Sequence, residues 1–522
     1  MADPHAPTPP AETDVVVVGG GTAGAAVAAR LVEAGIEVVV LEAGPDLGPH
    51  GDPRWPADLL DAARLGHSHD WGYDSGDTYP DQRLRFERSR VLGGCSTHNG
   101  AVQTWGHRAD YDGWAAAGNP GWGADDLLPL FRRASERLAV RTYRHDELTP
   151  WQALWHDAGA AVGLPPLNDL NDLDETVGFA PESVNVTADG VRFNNAFAYL
   201  DPLRDDPRLT IVGDANVDRV LVERGVAVGV VVDHAGAAHE LRAQRVVLCG
   251  GAFGSPAVLL RSGIGPAAAL AELEIPLVED RPGVGANLHD QPFLLLSWEG
   301  SEEIDRAMAA AGPWTPDEQT MAKARSSHDP DLFDLHLLPY SPTHLSGDGR
   351  RTWHAGVGAL RPRSRGTVRL RSRDPERLPL VDHGFYGDPE GHDLRVLVEG
   401  AALLREIAAL PALARVLGRE VAPGPAGLTD PAELRAYLRA HVDSYWHPVG
   451  SCRLGPATDP AAVVGPDGHV HGVRHCLVAD CALIPEVPRA TTAMPATVMG
   501  ERIAELLIAE RAPRPTREKE SR

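Results

Sequence analysis

The side chain of this sequence best placed by type to handle a proton is His447, in Tyr445-Trp446-His447-Pro448-Val449-Gly450-Ser451, flanked by aromatic residues and a proline-fixed loop. An imidazole titrates near neutrality and can take or share an alcohol proton; the same heptapeptide equally describes a packed core histidine. Far upstream, Gly19-x-Gly21-x-x-Gly24 has the spacing of a dinucleotide fingerprint. Its first glycine permits a tight turn, its second lets backbone N–H groups approach a pyrophosphate, and its third allows close helix–strand packing. Glu42 stands about 20 residues on, where a carboxylate accepts ribose hydroxyls. FAD and NAD enzymes share this pattern. A third cluster, Arg90-Val91-Leu92-Gly93-Gly94-Cys95-Ser96-Thr97-His98-Asn99-Gly100, sets two glycines before a group of polar side chains and suits a backbone wrapped around a planar cofactor. By spacing alone, His98 reads equally as a loop histidine. Gly250-Gly251-Ala252-Phe253-Gly254-Ser255-Pro256 reads as a strand entering a tight turn, or as a connector.

These groups need a scaffold. Asp14-Val15-Val16-Val17-Val18 is a β-branched run that reads as a buried parallel strand. Residues 25–34, rich in Ala, Leu and Val, read as a helix ended by Gly35, and residues 36–41 read as a second strand closing on Glu42. Residues 14–42 therefore form a β-α-β unit with the glycines at its first turn. Further strand-like runs at 209–212, 226–233, 245–248 and 476–479 alternate with helical patterns and predict a layered α/β fold. Between Phe293 and Tyr445 the pattern changes. In residues 366–372, Val368 and Leu370 alternate with Arg369 and Arg371, the period of a half-buried strand, so a second, largely antiparallel domain is expected. Residues 301–331 read as polar and irregular.

Composition narrows the class. The chain has 522 residues, 43% apolar and 23% charged, long enough for about two to four domains. Lys and Arg number 49 against 73 Asp and Glu, a formal net charge of −24. Such a surface repels nucleic-acid phosphates and anionic lipid; the charge reads first as plain solubility and otherwise as an attraction for cationic small molecules. No stretch nears the ~18 apolar residues of a membrane span, and residues 1–13 lack the basic and apolar regions of a secretory signal. A cytoplasmic location is the expectation. Five scattered cysteines without a CxxC pair argue against a disulfide framework or a zinc site, and no metal is expected.

In this order, from about Asp14 to Leu507, these segments resemble the glucose-methanol-choline (GMC) family of flavin oxidoreductases. Gly19 to Gly24 with Glu42 looks like its ADP-binding unit, residues 251–265 look like its second signature, and His447-Pro448-Val449-Gly450 matches its active-site histidine motif. The stretches 93–99, 364–374 and 388–393 are most similar to the choline-oxidising members. The resemblance implies FAD rather than NAD. It implies an α/β fold with a discontinuous Rossmann-like FAD-binding domain over 12–145, 205–292 and 445–510, and a substrate-binding domain with a largely antiparallel sheet over 146–204 and 293–444. The tail 511–522 is expected to be disordered. Carried onto this chain, the cofactor-binding positions are Gly19, Gly21, Gly24, Glu42, Gly94, His98, Asn99, Val217 and Asp480, with His98 the expected point of a covalent flavin link.

The catalytic positions implied are His447 and Thr491. The family keeps His or Asn at the second of these, and a threonine hydroxyl is no base near neutral pH, so His447 is expected to carry the proton work. Choline-oxidising members place a glutamate against the trimethylammonium group; the corresponding region, about 297–331, shows no identifiable counterpart, while His336 is a candidate for another polar position of that site. The expected reaction is oxidation of a primary alcohol to an aldehyde, with hydride transfer to flavin N5 and reduction of O2 to H2O2. Members of the family in aminoglycoside biosynthesis oxidise a primary hydroxyl of an amino sugar, so the resemblance makes such a sugar the first substrate expected, and a charge of −24 would draw in a polycation of this kind. Choline or another small alcohol, a dehydrogenase using a different acceptor, and a hydroxynitrile lyase are the alternatives. No nucleic-acid or membrane partner is expected, and the sequence does not give the oligomeric state.

Overall fold

Four consecutive valines, Val15 to Val18, are buried, because the strand that carries them lies inside a seven-stranded sheet with neighbours on both edges. The computed structural model describes residues 7–79, 82–175, 177–312, 314–341, 351–424 and 430–511. In chain order the site is built by β1 (Glu12–Val18), α1 (Thr22–Glu33), β2 (Val38–Leu41), β3 (Gly178–Pro181), β4 (Leu209–Val212), β5 (Ala215–Glu223), β6 (Val226–His234), β7 (Ala237–Leu248) and α2 (Gly251–Arg261). There follow β8 (Phe293–Gly300), β9 (Thr320–Ala324), β10 (Leu335–Tyr340), β11 (Thr352–Ala359), α3 (His392–Ala408), β12 (Leu417–Ala422), β13 (Cys476–Val478) and α4 (Ala493–Arg511).

The first sheet runs β4-β2-β1-β7-β6-β5, with β13 also on β7. The long strand β7 serves two purposes. Its first half pairs antiparallel with β6, and its last residues, Val246 to Leu248, pair in parallel with both β1 and β13. The parallel part β4-β2-β1-β7-β13 thus ends its strands along one edge. The helix α1 covers it with small residues, Ala25, Ala26, Ala28 and Ala29 all fully buried. That lets α4 cross α1 closely enough for Gly500 to lie against the carbonyl of Ala23.

The second sheet is antiparallel, in the order β12-β8-β11-β10-β9-β3. Its strands alternate as a two-faced sheet must. Leu294, Leu296 and Trp298 of β8 and Trp353, Ala355 and Val357 of β11 enter a core shared with Trp151, Trp155 and α3. The intervening Phe293, Leu295, Thr352 and His354 line a cavity between this sheet and the first.

Several expectations need correction. The segment read as a strand entering a turn, Gly250 to Pro256, is the entry to α2; this helix is buried almost all round, so no apolar periodicity marks it. The region 301–331 is not irregular. It holds a helix, Glu302–Ala310, seated by Ile304 and Met308, and then β9, whose Thr-Met-Ala-Lys-Ala sequence lacks strand-typical residues beyond its threonine. The strand expected over 366–372 is shortened to Thr367–Arg369, paired with Leu380–Asp382. Tyr199 and Leu200, expected in the substrate-binding unit, instead pack in the core of the first sheet, where the Tyr199 hydroxyl donates to Glu501 at 3.0 Å. Arg511 ends α4 and pairs with Asp14 at 2.9 Å; the remainder of the expected tail, 512–522, lies outside the described residues. Among the described residues no helix is long and apolar enough to cross a membrane.

Candidate active site

The carboxyl ends of the parallel strands deliver Gly19 after β1, Glu42 after β2, Cys249 and Gly250 after β7, and Asp480 after β13 to one cavity of about 760 Å3. Open α/β sheets bind ligands along this edge. Gly19 has φ +98°, and a Cβ there would lie 2.6 Å from the carbonyl oxygen of Cys249. Gly94, with φ +53°, packs on Gly21 so closely that a Cβ would lie 2.6 Å from the Gly21 Cα. Only glycines let these backbones meet and leave the cradle open. Gly24 lies within α1 against the carbonyl of Gly19 and sets the helix–strand packing.

Three helices, α1, α2 and α4, begin at this cavity, through Gly21 to Ala23, Gly250 to Ala252 and Thr491 to Ala493. Their free N–H groups and dipoles favour an anionic group such as a pyrophosphate. Glu42 is braced by the Gly20 and Gly44 N–H groups, each at 2.9 Å, and burial pushes its carboxyl up to about 7. Asp480 accepts from the Gly251 N–H at 2.8 Å, the Ser255 hydroxyl at 2.6 Å and the Ala482 N–H at 2.7 Å. It therefore serves the cavity chiefly by fixing the start of α2. Val217 and Asn99 complete the wall. A long dinucleotide with a flat ring system fits this cradle.

His98 lines the same cavity. Burial and the guanidinium groups of Arg88 and Arg192 push its imidazole down to about 3, so the ring is neutral at ordinary pH. Arg192, fully buried, donates to the carbonyls of Asn99 at 2.7 Å, Thr97 at 2.8 Å and Leu59 at 2.7 Å, and so fixes the backbone on both sides of His98.

His447 also reaches the cavity. Its backbone N–H donates to Asp290 at 2.8 Å and its Nδ1 lies 2.7 Å from Gln291 Oε1. The Tyr445 ring packs beside it at 4.4 Å between centroids. Burial, with a smaller contribution from Arg88, pushes the imidazole down to about 3. Thr491 reaches the cavity too, but its hydroxyl is engaged: it donates to the Val102 carbonyl at 3.2 Å and lies 2.8 Å from the Thr104 hydroxyl. With its one hydrogen committed to Val102, its oxygen accepts from the Thr104 hydroxyl and, at 3.4 Å, from the Thr104 N–H, so its hydrogen bonds are taken up within the protein.

The far wall is acidic and aromatic. Glu318 lines the cavity beside Gly100. Behind it, Glu182 is fully buried and neither of its carboxylate oxygens has a partner among the described residues. The Glu182 N–H donates to the Gln319 carbonyl at 2.8 Å, which draws the two side chains together. Burial, with repulsion from Glu318, pushes the Glu182 carboxyl well above the usual carboxylate range, and burial, with repulsion from the adjoining Asp317, pushes Glu318 up to about 8. Phe293 stacks on Tyr445 at 5.2 Å and meets the edge of Tyr340 at 6.2 Å on the same wall. His336, expected as a candidate for this site, is fully buried behind it. It stacks on Phe333 and presents its edge to Tyr445 at 6.2 Å.

Sequence reasoning did not find Gln291, Arg192, Glu182 or Glu318. Glu318 falls inside the 297–331 region, where no local pattern marks a carboxylate; the structure brings both it and its neighbour Asp317 to the cavity wall, and the pairing of β9 with β3 sets Glu318 near Glu182.

Comparison with known proteins follows the same lines. Two family models described as GMC oxidoreductase match residues 13–293 and 362–500. The chain is 34% identical to a choline oxidase of Arthrobacter globiformis, over 96% of this chain and 95% of that protein. It is 35% identical to an oxygen-dependent choline dehydrogenase of Paraburkholderia phytofirmans, over 95% of this chain and 94% of that protein. Among solved structures, a pyridoxine 4-oxidase from Mesorbium loti superposes with a TM-score of 0.84 at 26% identity, covering 94% of this chain and 98% of the other.

Proposed function

Because the chain belongs to the GMC oxidoreductase family and is an FAD-dependent oxidoreductase acting on CH–OH donors, we propose that it oxidises a small primary alcohol bearing a cationic nitrogen to the aldehyde, with O2 reduced to H2O2. The observation that carries this reading is an imidazole with one ring nitrogen anchored and the other turned to the cofactor cavity. Bound FAD supplies the hydride acceptor. Gly19, Gly21, Gly94, Asn99, Val217 and the helix N-termini would hold it, with Glu42 placed for the ribose and Asp480 bracing α2.

His447 accepts the alcohol proton at Nε2, and Thr491, tied to Val102 and Thr104, shapes the cavity wall. Tyr445 and Phe293 exclude water, so each polar contact with the developing alkoxide counts for more. Glu318, backed by Glu182, holds the cationic nitrogen against the aromatic wall. Names of relatives support a cationic alcohol and an oxygen acceptor. The amino sugar expected from the resemblance and the net charge finds no support among them, and we propose the compact alcohol instead. A panel of alcohols including choline and amino sugars, scored by peroxide release, tests the reading: choline or a close analogue leads, and bleaching of the yellow flavin without O2 distinguishes oxidation from a lyase reaction. Turnover without bleaching would overturn it.

A covalent flavin on His98 is part of the proposal. The ring is neutral, held in place through Arg192, and open to the cavity. After acid precipitation the yellow colour is expected to stay with the protein, and His98→Ala is expected to release it while still binding FAD. Release of all flavin from the wild-type protein refutes the link.

A further inference from the structure

We infer that Gln291 is the positioning residue of His447: it sets which ring nitrogen carries the proton, and does so without adding charge. A carboxamide has an accepting end and a donating end, and here the protein distinguishes them. Gln291 Nε2 donates to the carbonyls of Pro488 at 3.0 Å and Leu360 at 3.3 Å, both fixed main-chain acceptors. That orientation directs Oε1 at His447 Nδ1, 2.7 Å away. An oxygen without a hydrogen can only accept, so Nδ1 must carry the hydrogen of the neutral ring. The lone pair is then on Nε2, which no described residue bonds, in a side chain that lines the cavity.

Gln291 itself is fully buried, and its backbone carbonyl accepts the Tyr445 N–H at 2.9 Å, while the neighbouring Asp290 takes the His447 N–H. One short segment therefore fixes both the loop and the ring it carries. The titratable and charged groups around the imidazole are Asp290 with His383 behind it at 3.5 Å, Tyr445, Arg88 on the Trp446 carbonyl at 3.2 Å, and His336. None of them bonds a ring nitrogen of His447. The tautomer therefore rests on Gln291 alone, and the neutral amide leaves the imidazole weakly basic. When Nε2 takes the alcohol proton, the ring becomes a cation whose Nδ1–H still donates to an uncharged oxygen. This favours prompt loss of that proton from Nε2 to water after the aldehyde has formed, which leaves the ring neutral again.

The inference rests on the proposed role of His447, and the test separates the two. Nitrogen-15 NMR of histidine-labelled protein reads the tautomer without any substrate: His447 is expected with Nδ1 protonated, and a protonated Nε2 overturns the inference whatever His447 does in turnover. In Gln291→Leu the ring loses this control. Flavin reduction at saturating alcohol is expected to slow at least about tenfold, with substrate affinity and flavin spectrum nearly unchanged. Gln291→Glu keeps an acceptor at the same place and adds charge. It is expected to restore most of the rate and to shift the acidic limb of the reduction profile upward by about one unit or more, since a nearby carboxylate stabilises the imidazolium. Full speed in Gln291→Leu, or Gln291→Glu with neither recovery nor a shifted limb, refutes the assignment.

Discussion

His447→Ala is expected to slow anaerobic flavin reduction by a saturating primary alcohol at least about a hundredfold, whereas Thr491→Val is expected to slow it about tenfold or less. A positioned general base is typically worth ~10²- to 10⁴-fold, while a neutral hydrogen bond contributes about 0.5–1.5 kcal/mol. The surroundings of the two residues enlarge the difference. Thr491 gives its only hydroxyl hydrogen to the Val102 carbonyl and leans on Thr104, so its removal costs the substrate at most an acceptor. His447 has one nitrogen anchored and the other open to the cavity. Burial holds its pKa near about 3 in the free protein. The ring is therefore neutral across the physiological range, and the wild-type rate of reduction should show no loss attributable to His447 between pH 6 and 8. Stopped-flow reduction of the three proteins checks this. Thr491→Val as the more damaging change would mean that the roles are reversed.

Much of the cofactor side was legible in the sequence because it depends on local rules. The valine run, the three spaced glycines and Glu42 lie within one β-α-β unit, where chain neighbours are also spatial neighbours, and the structure adds only the close approach of Gly94 to Gly21. The substrate side follows a different rule. Gln291 gains its meaning from Pro488 and Leu360, which are far away in the chain, and Glu182 meets Glu318 only because β3 pairs with β9 across more than a hundred residues. Such juxtapositions leave no periodic or spacing signal in either segment. The helix α2 was missed for yet another reason: a helix buried on nearly all sides carries no amphipathic stripe.

The pairing of Glu182 with Glu318 leads to the largest effect expected on substrate choice. Two carboxylates in an apolar wall, with no ion pair to either among the described residues, cannot both ionise cheaply; burial raises both, with Glu318 adding to the rise at Glu182 and Asp317 to that at Glu318. At low pH the pair is neutral and has little attraction for a cation. As pH rises the pair ionises, and a bound cationic nitrogen makes that ionisation easier. For choline, kcat/KM should therefore climb with pH through a limb well above the ordinary carboxyl range and then level, while for its neutral carbon isostere 3,3-dimethylbutan-1-ol this limb should be missing. Glu318→Gln removes the member of the pair that reaches the cavity. Truncating one side of a desolvated charge contact typically costs about 2–5 kcal/mol, so kcat/KM for choline should fall by roughly 30-fold or more, with the neutral isostere changed only about threefold or less. Because Glu182 remains in Glu318→Gln, as does Asp317, which lines the same cavity and is raised by burial to about 7, the triple change Asp317→Asn/Glu182→Gln/Glu318→Gln is the variant in which the choline limb should vanish. Equal losses for the charged and neutral alcohols would show that Glu318 shapes the cavity without recognising charge, and the cationic substrate would have to be given up even if His447 keeps its role.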